Sequence, residues 1–382
     1  MDQRVKPTPH EIRRAREDNP KARERDLAAE LGISEAELAA AHCGQGVVRV
    51  EPRVNDLLTG LEAVGEVMAL TRNESAVHEK IGVYDKVVTG NHNAMVLGEN
   101  IDLRIFPKVW AHGFAVEKRD GGDIRRSLQF FDASGEAVHK VHLRPASNLY
   151  AYHKLVAELE SSNQEPIVSV SASGSDDEAE VEGQAASIDD LRDRWSRLTD
   201  VHQFFGMLKT LKLSRCQALR MVGQDYAWLL DNAAVGAVLQ RAAEDELPIM
   251  CFVGNRGSIQ THSGLIKSVK QIGPCIHVLD ETFRLHLRTH QIREVWAVRK
   301  PTNDSHVTSL EAYGSDGKII IQLFGARKEG ERERDDWRVL AENLPRFPDS
   351  YMRKDRSSSV GRRRPSASAA SSRALKPRPG TR

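Results

Sequence analysis

The chain has 382 residues, of which 40% are hydrophobic and 29% are charged, and its formal net charge is +1. This composition is typical of a folded globular protein, and the balanced charge gives no general attraction to nucleic acid or to an anionic membrane. The sequence has no run of about 18 apolar residues, the length needed to span a bilayer, and no apolar stretch near Met1 that resembles a secretory signal. The four cysteines lack the spacing of a zinc site. We therefore expect a cytoplasmic protein with reduced thiols.

In chain order, helices are predicted first, over residues 10–42, with Ser34 as the cap of the last one. From about Gly65 the pattern changes to short strand-like runs that turn signals separate, which predicts an antiparallel sheet. The predicted strands are Val67–Thr71, Ala94–Leu97, Leu103–Phe106, Ala115–Lys118, Ser127–Phe131 and Val138–Leu143. A helix over Leu149–Leu159 closes this first block, residues 1–160.

Residues 161–187 are poor in apolar side chains and rich in Asp, Glu, Ser and Gly, which predicts a flexible acidic linker. The second block, residues 188–350, repeats the order of the first. Helices are predicted over 188–245, and strands over 248–254, 258–262, 276–279, 283–287, 295–300, 307–312 and 318–323. Residues 351–382 form a basic tail in which ten Lys or Arg residues face one acid, and we expect it to be disordered.

The two blocks are copies at a spacing of 182 residues. Ala115–Lys118 falls on Ala297–Lys300, and Leu103 falls on Leu285. Similar sheets from one chain tend to pack about a pseudo-two-fold axis, so we expect a ligand cleft between the halves.

The copies differ at positions that could carry chemistry, which favours one asymmetric site over two equivalent ones. Arg104 falls against His286. In the helical register, which is offset by two residues, His202 falls against Ala22 and Arg215 against Glu35.

His202 is predicted in the first turn of a helix, after Thr199 or Asp200 as N-cap, and beside aromatic residues. Its pattern is compatible with an axial imidazole ligand, but it is more typical of a histidine that packs on Phe205 or is exposed. Arg104 lies between two apolar residues, and its guanidinium is either a paired edge charge or points into the cleft.

Other motifs are absent or weak. The chain has no Gly-rich nucleotide loop, no GxSxG and no HExxH. Residues Leu27–Ala41 imitate a helix-turn-helix, but the stretch is acidic and recurs in the second copy, so we expect a structural role there and do not expect nucleic-acid binding.

Several motifs of the second copy resemble the bacterial haemin-degrading or haemin-transport factors. They are Leu198–Phe205, Leu247–Met250, Phe252–His262, Trp296–Thr302 and Val307–Glu311. The first copy agrees through Asp102–Phe106 and Trp110–Ala115. The resemblance covers about residues 10–345 and implies an α+β fold of two stacked antiparallel sheets flanked by helices, with one b-type haem per chain in the cleft between the halves.

The same resemblance implies the roles of individual residues. His202 resembles the axial ligand of the haem iron, Arg104 the distal arginine with a catalytic role, and Phe106 the distal aromatic. The remaining haem-binding residues by resemblance are Arg215, Lys300, Gln322, Phe324 and Arg327. The family often has a tyrosine on the strand before the last arginine, and Ile319–Phe324 contains none.

The resemblance leaves two functions open. One is a carrier that accepts haem from the cytoplasmic side of an importer and passes it to a downstream haem oxygenase or reductase. The other is an oxygenase-type enzyme that opens the macrocycle with O₂ and external electrons. A DNA-binding regulator is a remote third alternative.

Overall fold

The computed structural model describes residues 6–171, 186–303, 305–328 and 330–346. The predicted basic tail and residues 172–185 of the predicted linker lie outside these ranges. No helix in the described ranges is both long enough and apolar enough to cross a membrane.

The described ranges contain ten α-helices, two short 3-10 helices (Pro107–Val109 and Thr289–Gln291) and eighteen strands. The helices are α1 Pro9–Asp18, α2 Glu24–Leu31, α3 Glu35–Ala40, α4 Val54–Val64, α5 Leu149–Leu159, α6 Ile188–Ser196, α7 Gln203–Leu211, α8 Arg215–Val222, α9 Ala234–Glu244 and α10 Asp335–Glu342. The strands of the first half are β1 Val47–Val50, β2 Val67–Arg72, β3 Ala76–Gly82, β4 Val87–Val88, β5 Ala94–Leu97, β6 Asp102–Ile105, β7 His112–Asp120, β8 Asp123–Phe131 and β9 Ala137–Leu143. Those of the second half are β10 Ala227–Leu230, β11 Ile249–Gly254, β12 Ser258–Gly264, β13 Val269–Ile272, β14 Cys275–Leu279, β15 Phe283–Arg288, β16 Glu294–Pro301, β17 His306–Tyr313 and β18 Ile319–Gly325.

The duplication is visible at the helix starts. Ser34 precedes α3 and Ser214 precedes α8, and each side chain accepts a hydrogen bond from the third helical N–H. The side chain of that third residue, Glu37 or Gln217, accepts a hydrogen bond from the backbone N–H of the serine, which completes a capping box. The helical register that the sequence predicts is therefore a repeat of the same local structure.

The strands form two nine-stranded antiparallel sheets that exchange strands between the halves. Sheet A has the order β1-β7-β8-β9-β2-β3-β15-β14-β13, and sheet B has the order β10-β16-β17-β18-β11-β12-β6-β5-β4. Each sheet therefore takes six strands from one copy and three from the other. The predicted two-sheet fold is confirmed, but the copies do not form separate sheets. The exchange ties the two halves of the sequence into one compact unit.

The alternation along β12 shows which face of sheet B meets sheet A. The Ser258 hydroxyl donates to the carbonyl of Val138 at 2.8 Å, and the Gln260 amide donates to the carbonyl of Ala69 at 3.0 Å. Both acceptors belong to sheet A. Because side chains alternate along a strand, Ile259 points to the opposite, outer face of sheet B.

Helices α6, α7 and α8 cover one end of this outer face. Their apolar side chains share a core with β10, β16 and β17, formed mainly by Leu191, Trp195, Phe204, Leu208, Leu219, Trp296, Val298 and Tyr313. The Trp195 indole N–H also donates to the carbonyl of Arg299 at 2.9 Å. Burial of these aromatic side chains fixes the three helices over the edge of sheet B and leaves β18, β11, β12 and β6 beside them.

Helices α2 and α3, which contain the helix-turn-helix-like stretch, pack on sheet A through apolar side chains of α3 and through two glutamates. Glu35 of α3 accepts from Lys140 at 3.1 Å and pairs with Arg72, and Glu24 of α2 accepts from Lys140 at 2.8 Å and pairs with Lys118. In this copy the helices supply the anions and the sheet supplies the cations. The stretch therefore has the structural role that the sequence predicts.

The predicted linker does not begin at residue 161. The Gln164 side chain accepts from the N–H of Arg49 at 2.9 Å and donates to the carbonyl of the same residue at 2.9 Å. The Arg49 guanidinium donates to the carbonyls of Glu165 and Ile167, and Val168 is buried. Residues 161–171 of the predicted linker therefore contact β1 through one amide and one guanidinium, which bond several carbonyls of this irregular segment.

Two buried histidines make the fold sensitive to mild acid. Burial lowers the pKa of His139 and of His262 to about 3 in each case. In the unfolded chain these groups take up protons near pH 6.5, whereas the folded chain resists protonation until far lower pH. Stability should therefore fall as the pH drops from 7 to 5, by up to about 1.4 kcal/mol per pH unit for each histidine.

Urea unfolding at pH 7, 6 and 5 measures this slope. His139 bonds Thr71 at 3.0 Å and Tyr84 at 2.6 Å through its two ring nitrogens. A His139→Gln variant should lose stability at pH 7 but show a shallower slope. A midpoint that stays constant from pH 7 to 5 would contradict the assignment of neutral buried imidazoles.

Candidate ligand site on the outer face of sheet B

Paired strands bring side chains of both halves onto the outer face of sheet B. Ile259 of β12 pairs with Arg104 of β6, and Thr261, two residues further along β12, pairs with Phe252 of β11. Phe252 pairs in turn with Gln322 of β18. Directly paired residues share a face. Arg104 from the first half therefore lies on the same surface as Phe252 and Gln322 from the second.

His202 lies at the start of α7, beside this surface. It is the residue that precedes the helix, and its backbone N–H donates to the Asp200 carboxylate at 2.7 Å. The predicted cap at Thr199 or Asp200 is wrong, because the Thr199 hydroxyl bonds the Gln203 side chain and Asp200 stabilises the turn before the helix. The His202 side chain is exposed, and so is that of Phe205, which is 75% accessible.

Aromatic and cationic side chains connect α7 to the centre of the sheet. Phe204, buried two residues after His202, has the Arg215 guanidinium 5.0 Å and the Lys300 ammonium 5.0 Å from its ring centre. The Lys300 ammonium also lies 5.7 Å from the ring centre of Phe324, which packs edge-on at 5.3 Å against Phe252. The helix that carries His202 is thus joined by direct contacts to the open part of the outer face.

A buried carboxylate, Glu311 of β17, holds both of these cations. Arg215 donates to it through Nε at 2.8 Å and Nη2 at 2.5 Å, which is a two-point ion pair. Lys300 donates at 3.0 Å, Ser309 at 2.7 Å and Tyr313 at 2.6 Å. Glu311 is fully buried, and its two oxygens accept all five bonds.

This network sets the charge states of its members. Burial alone would raise the pKa of Glu311, but Arg215 and Lys300 outweigh it and hold that pKa well below its usual value. Burial lowers the pKa of Lys300 to about 8 although Glu311 opposes the shift. Burial also disfavours the charged form of Arg215, but Glu311 outweighs this and raises its pKa. At neutral pH the cluster therefore carries two cations and one anion.

The other predicted residues differ in how they are placed. Arg104 is exposed and pairs with Asp102 of its own strand at 2.6 Å. Phe106 is half-buried just after β6, where its N–H donates to the carbonyl of Gly257 at 3.0 Å. Arg327 follows the end of β18 and donates to the carbonyl of Glu331 at 3.2 Å.

Gln322 and Phe324 of β18 are half-buried and share the outer face with Phe252. The Gln322 amide makes no hydrogen bond with any residue in the described ranges. The predicted residues thus come from both halves of the sequence, but they meet on the outer face of sheet B and not between the two sheets.

Sequence reasoning missed Glu311, Tyr313 and Phe252. Glu311 is an acid in a strand whose other side chains are mostly apolar, and Ser309, Glu311 and Tyr313 alternate on one face, which is a signal that a closer reading of the strand offers. β18 lacks the tyrosine that the family often has there, but Tyr313 lies on the neighbouring strand β17. It supplies a hydroxyl from the neighbouring strand, and that hydroxyl donates to Glu311.

Comparison with known proteins gives a consistent result. The family model of the haemin-degrading HemS/ChuX domain matches twice, over residues 32–159 and 212–344. The hemin transport protein HmuS of Yersinia pestis is 39% identical over 325 residues, which are 85% of this chain and 93% of that protein. HemS of Yersinia enterocolitica, also a hemin transport protein, is 40% identical over 330 residues, with the same coverage.

Solved structures agree with the sequence comparison. Holo-PhuS, a heme-binding protein from Pseudomonas aeruginosa, superposes with a TM-score of 0.85 at 41% identity and covers 89% of this chain and 100% of its own. The heme degrading enzyme ChuS of Escherichia coli O157:H7 superposes with a TM-score of 0.80 at 35% identity, covering 87% and 97%. Both copies of the duplication match, and the chain belongs to the HemS family of haemin-degrading HemS/ChuX-domain proteins.

Proposed function

We propose that the chain binds one haem on the outer face of sheet B, with His202 as the axial ligand of the iron. The observation that carries this proposal is an exposed imidazole at the start of α7, next to a partly open aromatic surface on which Arg104 of the other half also lies. Iron in haem takes an imidazole as a common protein ligand, so His202 suits this role.

The surface also fits the rest of a haem. Its flat apolar macrocycle would contact the half-buried rings of Phe252 and Phe324 and the exposed ring of Phe205. Its two propionates are anionic, and Arg215 and Lys300 are cations whose present partner is Glu311. Gln322 would offer an amide donor on the same face. Phe106 and Arg327 complete the proposed contacts at the ends of β6 and β18.

Arg104 is proposed to act on the side of the haem opposite His202. Its present partner is Asp102, whose side chain is half-buried, but the Arg104 side chain is exposed, so solvent screens the ion pair and the guanidinium is able to turn toward a ligand. There it would donate hydrogen bonds to small molecules or anions near the iron. Bound haem supplies the redox-active iron, and the protein residues hold it, shield it and orient it.

Two activities share this site, and we propose that the chain receives imported haem and passes it on, takes part in opening the macrocycle, or both. Relatives named as hemin transport proteins support the first activity, and a structural neighbour named as a heme degrading enzyme supports the second. A cytoplasmic location, an importer as haem donor and a haem oxygenase or reductase as partner belong to the same proposal.

One experiment separates the two activities. The haem complex is supplied with a reductase and O₂, with and without catalase, while the Soret band and linear tetrapyrrole products are followed. An enzyme should form product in the presence of catalase, and Arg104→Ala should slow this step by about 100-fold or more, since a well-placed donor to the reacting group is worth about 2.7–4 kcal/mol. Product that forms only without catalase would show peroxide-driven oxidation and would leave the carrier function.

A further inference from the structure

A polar cavity lies at the edge of sheet A, beside the edge strand β1. It has a volume of about 220 Å³ and is lined by residues of β1, of the start of β7 and of the segment that follows α5. The side chains that matter for its chemistry are Arg49, His112, Ser161, Asn163 and Glu51. Nothing in the proposed haem site on sheet B uses this cavity.

Two nitrogen atoms at this cavity are buried and without a hydrogen-bond partner in the described ranges. They are Nε of Arg49 and Nε2 of His112. Arg49 uses Nη2 to donate to the carbonyls of Glu165 and Ile167, each at 2.7 Å, and it makes no ion pair with a described carboxylate. Its positive charge is therefore offset by carbonyl dipoles and by the face of the Phe114 ring, whose centre lies 5.6 Å from the guanidinium carbon. These two nitrogens are closed off from solvent, so a ligand in the cavity would meet the other nitrogens of the same side chains, Arg49 Nη1 and His112 Nδ1, which make no hydrogen bond with a described residue and are not closed off.

The segment after α5 adds two more donors. The Ser161 oxygen accepts from the N–H of Asn163 at 3.3 Å, which leaves its hydroxyl proton available. The Asn163 oxygen accepts from the N–H of Glu165 at 2.9 Å, so its amide NH₂ is the group left for a ligand. A guanidinium, an imidazole, a hydroxyl and an amide, all able to donate, thus line one small cavity.

We propose that this cavity binds a small oxyanion, either inorganic phosphate or the carboxylate of a small metabolite. Arginine suits both ligands because its planar fork matches two oxygens of an oxyanion. Burial lowers the pKa of His112, and Arg49 lowers it further against the opposing effect of Asp132, so the imidazole is neutral at pH 7 and can donate one N–H. The one acid at the cavity, Glu51, is exposed and makes no ion pair with a described cation.

The duplication shows that this cavity is particular to the first copy. Arg49 pairs with Phe114, and the corresponding pair in the second copy is Leu229 with Trp296. The position of His112 is taken there by Glu294, which pairs with Arg220. Both donors are therefore absent from the second copy.

Titration calorimetry of the full chain in chloride buffer tests the proposal, with inorganic phosphate, sulfate and succinate as separate ligands. We expect one site per chain for at least one of them. Preference for phosphate or sulfate over succinate would identify a tetrahedral oxyanion, and the reverse would identify a carboxylate. Arg49→Gln should weaken binding by about 10-fold or more, because it removes a charged hydrogen bond worth about 1.5–3 kcal/mol.

Matched variants keep the test decisive. Arg53→Gln removes an exposed arginine four residues away, which pairs with Asp56, and it should leave the affinity unchanged. Arg49→Gln also removes the bonds to Glu165 and Ile167, so His112→Phe provides a second test that leaves those bonds in place. It should weaken binding by about 3-fold or more, the value of one neutral hydrogen bond. The proposal is overturned if none of the three ligands binds at 10 mM, or if both variants bind as tightly as the unaltered chain.

Discussion

Replacement of Glu311 by glutamine is expected to destabilise the fold by about 3–5 kcal/mol, the usual cost of removing one partner from a buried ion pair. Glu311 is fully buried and accepts five hydrogen bonds, two from Arg215 and one each from Lys300, Ser309 and Tyr313. Glutamine has nearly the same shape, but it offers one acceptor oxygen and no charge. Two cations would remain at the base of α7 and α8 without an anion.

Urea unfolding at pH 7, followed by far-ultraviolet circular dichroism, measures this loss. The matched control is Glu158→Gln, which removes the carboxylate of an exposed pair with Lys154 at 3.7 Å on α5. That variant should change stability by less than about 0.5 kcal/mol. A loss below about 1 kcal/mol for Glu311→Gln would contradict the view that this carboxylate holds the two cations in place.

The same network has a consequence for haem binding. Arg215 and Lys300 can bind propionates only if they break their bonds to Glu311 or bond both acids at once. The Lys300 residue is only 3% exposed. Arg215 is the more accessible of the two, with 23% of its side chain exposed. We therefore expect Arg215 to contact a propionate directly and Lys300 to act mainly by fixing Glu311.

Most strands could be predicted because their apolar side chains alternate between glycine-rich or aspartate-rich turns. The apolar pattern predicts β8 only from Ser127 onward, because the four residues before it include Arg125 and Arg126 and carry little apolar signal. The strand begins at Asp123. The strand β3 was missed because His78 and Lys80 interrupt its pattern. Both are buried, and Lys80 meets His262 of sheet B at 3.3 Å, so here the inward-facing residues are polar.

No local pattern in the sequence indicates that the two copies exchange strands. The pairing of β6 with β12 joins Leu103 to Gln260, far apart in the sequence, and hairpin reasoning reaches only neighbouring strands. The sequence therefore predicts a site that combines both halves, but it does not predict that Arg104 reaches the surface beside His202 by joining the sheet of the other copy. The identity of the haem-binding residues came from family resemblance, because a histidine beside aromatic residues is by itself a weak pattern.

Removal of the His202 imidazole is expected to abolish histidine ligation of haem. The side chain is exposed, so His202→Ala should stay folded, with a change in stability within about 1 kcal/mol, as is usual for surface positions. The matched control is His153→Ala, which removes an exposed histidine of α5 on the first half of the chain. This control should bind haem as the unaltered chain does.

The absorption spectrum of the haem complex of His202→Ala tests the proposed site most directly. Haem is titrated into the unaltered chain, His202→Ala and His153→Ala, and the Soret and visible bands are recorded in the ferric and ferrous states. We predict one haem per chain and a histidine-ligated spectrum for the unaltered chain and for His153→Ala, with loss of that spectrum and weaker binding in His202→Ala. An unchanged spectrum and affinity in His202→Ala would show that another residue holds the iron and that the site is not the one proposed.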